Sequence, residues 1–407
     1  MKSLPHRLLT TAATVLACGA LALPLSGCLG SQSDVPQREA LVEAESARLN
    51  AWFAARYDEG LARSPMTKTY LGVAGDQDKL DDISQAAIDE DAALTESWLN
   101  EMRRNFDIDR LDAQSRLSFR LYEFDAEDQL ATYAVSENDY VFNHMSGPHS
   151  ELPSFMINFH QVETVEDAQN YIARLRAVKP YLGQAQRRAE AQYAAGVSTP
   201  KFVYAKVSDA ARNVIMGAPF EENGSDSPLW SDIKTKIGKL PAAQSVKDAL
   251  LEDARAALIE AVQPAYISLI GMFDQHAQEA SDDDGAWKLP GAENYYAARL
   301  QHYTTTEMTA DEIHEIGLKE VARIQDEMRA IMAKVGFDGT LKEFFTFLRT
   351  DKQFVFPNTD AGRDAYMREA TQFIDEMKTR LDMVFITKPK ADMIVKRVEP
   401  FREDTAF

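Results

Sequence analysis

Residues 246–276 read VKDALLEDARAALIEAVQPAYISLIGMFDQH, and the spacing of the apolar side chains in this stretch decides the fold class. These side chains recur every three or four residues, at Leu251, Ala254, Leu258, Val262, Leu269 and Phe273. This period predicts a long amphipathic helix with one buried face. Pro264 lies inside the stretch, and we expect a kink there because proline cannot donate a backbone hydrogen bond.

The same helical period continues towards the N-terminus. It predicts further helices from Arg38, over 93–106, over 111–130, after Thr164 and over 200–215. Pro180 should kink or divide the helix that follows Thr164.

The period also continues towards the C-terminus. Two capping boxes, Thr309 with Glu312 and Thr340 with Glu343, each predict the start of a helix. A last helix is predicted over 366–384, and apolar and polar residues alternate over 392–401 as in a short strand. We therefore predict a mainly α fold with one multi-helix body.

Composition narrows the class of protein. The chain has 407 residues, of which 45% are hydrophobic, so it can bury a core. It carries 44 basic and 64 acidic side chains, a net charge of −20. This excess of negative charge repels phosphate backbones, and we expect no nucleic-acid partner.

The first residues have the composition of an export signal. Lys2 and Arg7 are followed by an apolar stretch over 8–25, and Ser26 and Gly27 then precede Cys28. Small residues before such a cysteine resemble a bacterial lipobox, which implies lipidation of Cys28. The alternative is an ordinary signal peptide that happens to contain this cysteine.

These features predict three segments, namely a signal peptide over 1–27, a polar tether over 28–37 and a helical domain over 38–407. Several acyl chains on Cys28 would hold the protein on a membrane. By resemblance to other lipoproteins, Leu29 directly after the cysteine implies an outer-membrane anchor in the cell envelope, facing the periplasm. No cysteine follows Cys28, so disulfides and thiol catalysis are excluded from the body of the chain.

Few side chains form a pattern that indicates chemistry. His314 and Glu315 begin a zinc-peptidase motif, but Leu318 stands where the second histidine is required. His144, His149 and Glu151 belong to a predicted loop rich in glycine and proline, where we expect them either to bind a metal or to form polar packing.

A second group of candidate residues is rich in hydroxyls. Tyr295, Tyr303 and residues 304–306 come directly before a predicted helix. Such hydroxyls can bind a substrate backbone or an oxyanion, although tyrosines at helical spacing also serve as half-buried packing.

Five segments together resemble the bacterial domain-of-unknown-function 885 family, many of whose members are lipoproteins. They are Ser64-Pro65 with Tyr70-Leu71-Gly72, residues 143–153, residues 287–306, residues 312–324 and residues 398–402. The resemblance spans nearly the whole chain after the signal peptide. It implies a helical fold like that of zinc peptidases of the carboxypeptidase Taq and angiotensin-converting-enzyme type.

The resemblance also implies where the metal of the family lies. The presumed zinc motif, a His-Glu pair followed by Pro-Gly-His, comes after the segment that is Pro400–Arg402 here, and this sequence stops at Phe407. We therefore expect the N-terminal portion of the family only, with no catalytic residue, no metal ligand and no cofactor of its own. Zinc is expected for a full-length relative.

The sequence thus predicts the N-terminal part of a zinc-dependent peptidase-like lipoprotein, inactive alone and binding short peptides. The expected substrate contacts are His144, Gly147, His149, Tyr295, Tyr303 and Thr305. The alternative is a non-catalytic envelope lipoprotein that acts as a peptide-binding or scaffold module. A third hypothesis is metal-dependent hydrolysis through His144, His149 and Glu151. The oligomeric state stays open.

Overall fold

The computed structural model describes residues 34–222 and 224–399, and the side chains of this part from residue 37 onwards. The first half of the chain forms α1 (Asp34–Arg63), α2 (Pro65–Tyr70), α3 (Gln85–Asn105), α4 (Ala113–Tyr133), α5 (Pro148–Asn158), α6 (Val165–Ala194) and α7 (Lys201–Val214). The second half forms α8 (Pro228–Gly238), α9 (Gln244–Ala257), α10 (Gln263–Glu279), α11 (Ala292–Thr304), α12 (Ala310–Lys334), α13 (Leu341–Thr350) and α14 (Asp360–Lys378). The predicted mainly α fold is confirmed.

The main core lies around α6, which packs against α5, α8, α9 and α10. The apolar positions of the quoted stretch face this core, and Leu258, Tyr266 and Leu269 are fully buried there. Burying one such side chain contributes about 1.5–3 kcal/mol. The stability of the body therefore depends chiefly on this set of helices. A smaller apolar cluster joins α1, α3 and α4.

The long apolar helix passes through one π-helical turn, Leu258–Val262, immediately before Pro264. Proline has no N–H to donate to the carbonyl of Glu260, and a π turn accommodates that loss. A π turn thus lies beside Pro264, where the sequence predicts a kink. Pro180, in contrast, lies inside α6 without dividing it.

Residues 244–279 are long and apolar enough to cross a membrane by length and composition. Half of their most apolar window is buried inside the body, as in the core helix of a soluble protein.

The predicted strand over 392–401 is not formed in its described part, 392–399. The described residues contain only an isolated bridge between Ala218 and Asp226, so no neighbouring strand is present to pair with it. Side chains hold the segment instead: Asn158 donates to the Glu399 carboxylate, and Arg397 lies 3.5 Å from Asp360.

The predicted segment boundaries fall at the edge of the described residues. Helix α1 begins at Asp34, so residues 34–37 of the expected tether are helical. Cys28, the expected signal peptide and Pro400–Phe407 lie outside the described residues.

The C-terminal helices are much less buried than the rest. Among the described residues from α12 onwards, the buried ones are Met332, Phe344 and Gly362. On α12, Val321, Ile324 and Ile331 form an apolar stripe that stays 39–54% exposed. We call this stripe the α12 apolar face.

Candidate functional site

The loop before α5 is held by its own side chains. The Asn143 side-chain oxygen accepts hydrogen bonds from the backbone N–H groups of Met145 and Ser146, at 2.8 and 2.9 Å. Gly147 follows with φ +136°, a conformation that favours glycine. A Cβ at Gly147 would lie 3.2 Å from the Val141 carbonyl oxygen, so the position is closed to larger residues.

His149 is part of the core. Its ring is 2% exposed and lies edge-on to Phe142 and Phe273, at centroid distances of 5.8 and 6.3 Å. Its carbonyl accepts a 2.7 Å hydrogen bond from the Tyr266 hydroxyl. The ring therefore presents no open surface to a substrate in this structure.

His144 is half-buried, and its ring packs edge-on against Phe202 on α7 at 5.3 Å. In the described part of the chain its Nδ1 is buried without a hydrogen-bond partner. The loop containing His144 is thus joined to α7, while His149 is joined to α10.

Zinc does not fit the donors in the described residues, which include no group of three His, Cys, Asp or Glu side chains placed to hold a metal. The Glu151 carboxylate accepts the Gly147 N–H at 3.1 Å, and the His149 ring lies among aromatic rings. Both residues lie in the first turn of α5, so the predicted loop was wrong for them: Pro148 begins the helix, since proline suits its first position. On α12, Leu318 occupies the position of a second histidine and is exposed.

Helix α11 places its tyrosines in two different environments. The Tyr295 hydroxyl donates to Asp139 at 3.1 Å, and Arg299 pairs with the same carboxylate. Burial, together with the charge of Asp139, raises the pKa of Tyr295. Tyr303 is 78% exposed, and exposed Thr305 ends the helix with φ +53°.

The exposed side of α11 is aromatic. Tyr296 and Tyr303 are seven residues apart, so they share one face of the helix, and both are exposed. Trp287, in the short turn that precedes α11, is 76% exposed. We call these three residues the α11 aromatic face.

Residues 139–149 connect the two sets of predicted contacts. Asp139, at the start of this segment, is bound by Tyr295 and Arg299 of α11, and His149, at its end, lies in the core. Between them is a cavity of about 30 Å³ lined in part by Tyr140, Phe142 and His276. Such a volume suits a buried water and is too small for a peptide. Among the predicted residues, Tyr303 and Thr305 on α11 are the ones whose side chains are exposed to solvent.

A buried arginine was not among the predicted residues. Arg174 on α6 is fully buried, and it donates to the Lys79 carbonyl at 2.8 Å and to the Thr69 hydroxyl at 2.7 Å. It also donates to Nδ1 of buried His160 at 2.7 Å, and it makes longer contacts with the carbonyls of Pro65 and Asp76. Arg174 follows the fully buried Tyr171 by three residues, so a charged residue on an apolar helix face was the available signal.

A second buried polar group closes the end of α5. The Lys236 ammonium donates to the carbonyls of Met156 and Ile157, both at 2.9 Å, and pairs with Asp232 at 2.8 Å. The Tyr171 hydroxyl donates to the same Asp232 carboxylate at 2.9 Å. Because the last carbonyls of a helix lack intrahelical donors, this lysine acts as a C-terminal cap.

A solved structure has a fold similar to that of this chain. The chain is similar to the crystal structure of the putative lipoprotein from Colwellia psychrerythraea, with a TM-score of 0.78 and 20% sequence identity. The alignment covers 89% of this chain and 64% of that one, so this chain spans less than two thirds of the length of the Colwellia protein. No curated protein matches the sequence.

A family model described as a bacterial protein of unknown function, DUF885, matches residues 65–407. These residues include α2 to α14, and therefore both the main core and the α11 aromatic face. The chain accordingly belongs to the bacterial DUF885 family.

Proposed function

We propose that this chain is the N-terminal helical part of a zinc-peptidase-like lipoprotein of the cell envelope, and that it binds short peptides without supplying the metal. The observation that carries the peptide-binding proposal is the α11 aromatic face. Tyrosine and tryptophan offer large contact areas with few rotatable bonds, and they dominate many binding surfaces. Among the contacts predicted from sequence, Tyr303 and Thr305 belong to this exposed region.

Two findings support the proposal that this chain binds the peptide while the zinc ligands come from elsewhere. The described donors do not fit zinc, and the similar Colwellia chain is longer than the part that this chain matches. The α12 apolar face is the kind of surface on which a further polypeptide would pack. We propose that zinc ligands of the family are supplied from such additional polypeptide, so this chain alone has no peptidase activity.

A second candidate function is a non-catalytic peptide-binding or scaffold module. The poor fit of the described donors to zinc favours it as well. The two proposals differ in one experiment, in which the reading frame that follows Phe407 is added to the expressed chain. Chelator-sensitive peptide hydrolysis by the extended protein supports the first proposal, and binding without hydrolysis supports the second.

The peptide-binding proposal predicts that Tyr303→Ala weakens peptide affinity about tenfold, because a single aromatic anchor carries more than 1 kcal/mol at many interfaces. The measurement is fluorescence anisotropy with a labelled pool of random tetrapeptides. The matched control is Tyr57→Ala, which removes an exposed tyrosine from α1 and should leave affinity unchanged.

Both variants should keep the melting temperature of the wild type, since both side chains are exposed. Equal affinities for the two variants, or no binding by the wild type, would contradict the proposed binding surface.

The envelope location rests on Cys28 and agrees with the lipoprotein description of the Colwellia protein. We expect Cys28→Ser to abolish incorporation of labelled palmitate in a bacterial host and to release the protein from the outer-membrane fraction. Cys18→Ser is the control, because Cys18 is removed with the signal peptide. Palmitate incorporation that persists in the Cys28 variant would disprove lipidation at this residue.

A further inference from the structure

A surface groove lies between the start of α3, the end of α4 and the C-terminal third of α6. Its volume is about 640 Å³, within the range of small-molecule sites. Its polar lining includes Ser84, Tyr133, Gln184, Arg187, Arg188 and Gln192.

Two arginines that are adjacent in the sequence of α6, Arg187 and Arg188, line the groove and carry positive charge. In the described part of the chain, neither the Arg187 nor the Arg188 guanidinium lies within 4.0 Å of a carboxylate oxygen. Arg63, Arg103 and Arg212, in contrast, each contact carboxylates. The groove therefore has two cationic groups without a direct anionic partner.

Arg188 is also partly desolvated. One of its terminal nitrogens donates to the Ile83 carbonyl at 3.3 Å, and its Nε is buried without an acceptor among the described residues. Burial lowers the pKa of Arg188, while the charge of Asp139 acts in the opposite direction. A partly desolvated guanidinium gains more from a charge-assisted hydrogen bond to an oxyanion than a fully hydrated one does.

Two of the three acidic side chains near the groove are held by other groups. Asp89 accepts hydrogen bonds from the Tyr133 hydroxyl at 3.0 Å and from the Gln85 amide at 2.8 Å. Asp139 is bound by Arg299, and Glu137 is exposed. These carboxylates leave the two guanidinium groups available to a ligand.

We infer that this groove binds the oxyanion of a small ligand, a carboxylate or a phosphate, through Arg187 and Arg188. Guanidinium groups recognise both oxyanions with paired, charge-assisted hydrogen bonds. The inference goes beyond the proposed peptide contact on α11 and depends on different residues.

The test is isothermal titration calorimetry of the full chain at low ionic strength with three probes. These are N-acetyl-alanyl-alanine, the same dipeptide with an amidated C-terminus, and inorganic phosphate. We expect binding of at least one anion, no binding of the amide, and weaker binding as salt is added. Preference for the dipeptide acid identifies a carboxylate ligand, and preference for phosphate identifies a phosphate ligand.

The double variant Arg187→Gln with Arg188→Gln should lower anion affinity at least tenfold. Arg104→Gln is the control, because Arg104 is an exposed arginine of α3 that makes no ion pair with described residues. If the double variant is unstable, exposed Arg187→Gln alone should still weaken binding severalfold. Tyr303→Ala should leave anion binding unchanged, which separates this site from the peptide surface. The inference is overturned if no anion binds the wild type, or if neither arginine variant affects binding.

Discussion

Replacing Arg174 with methionine is expected to lower the free energy of unfolding by about 3 kcal/mol, because each buried acceptor that loses its donor costs about 1–3 kcal/mol. Arg174 joins α6 to α2 through Thr69 and to the following loop through the Lys79 carbonyl. Methionine fills much of the volume but leaves these acceptors without donors. Arg174→Lys should also destabilise strongly, because one ammonium cannot reach all the acceptors of a guanidinium.

The control lies two residues away on the same helix. Arg176 forms a surface ion pair with Asp253, with both side chains about half exposed. Arg176→Met should therefore change the free energy of unfolding by less than about 1 kcal/mol. Urea unfolding followed by circular dichroism measures both values. Equal, small effects of the two substitutions would show that Arg174 is not a structural link.

The pH dependence of stability gives a second readout of the same network. Burial, and next the charge of Arg174, lower the pKa of His160 from 6.5 to about 4. The folded protein keeps His160 neutral where the unfolded chain binds a proton. The resulting stabilisation is complete above pH 6.5 and is lost as the pH falls towards 4, about 3 kcal/mol in total. His160→Gln should remove this part of the pH dependence, and an unchanged profile would contradict the assignment.

The second large effect concerns self-association through the α12 apolar face. We expect the purified chain to bind the dye 1-anilinonaphthalene-8-sulfonate and to self-associate, because exposed contiguous apolar surface promotes both. Changing Val321, Ile324 and Ile331 together to glutamine should abolish most dye binding and yield monomers in sedimentation velocity. The free energy of unfolding should change little, by about 0.5 kcal/mol for each exposed site.

A buried isoleucine provides the contrast. Ile233 on α8 is fully buried, and Ile233→Gln should destabilise the chain by at least about 2 kcal/mol, because the amide would lose its water partners. A monomeric wild type that binds no dye would show that the α12 apolar face does not promote self-association. Unfolding of the triple variant would show that these residues pack inside the body.

Local signals in the sequence predict much of the fold. Thr309 with Glu312 and Thr340 with Glu343 form the expected capping boxes. A π turn lies beside Pro264, where the sequence predicts a kink. These features involve residues only a few positions apart, so their energies depend little on the rest of the chain. The strand prediction for 392–401 was wrong for 392–399, because strands need a partner elsewhere in the chain.

The candidate site was less predictable because it depends on distant partners. Tyr295 and Tyr303 belong to one helix, yet Tyr295 turns inward to Asp139, which lies 156 positions earlier. Nothing near Tyr295 in the sequence indicates that contact. The sequence predicted a loop at His149. Its burial results from packing against Phe273 on α10, and the Tyr266 hydroxyl donates to its carbonyl.

The sequence by itself determined that this protein is helical, where several of its helices begin, and which family its motifs resemble. Helix starts, stops and periodicity arise from hydrogen bonds and side-chain contacts between residues three or four positions apart. Only the tertiary structure decided that Arg174 and His149 are buried, that Tyr303 remains exposed, and that Arg187 and Arg188 share a groove without direct anionic partners. Burial and partner choice are set by packing between distant segments, and one residue type can therefore serve as core, cap or binding surface.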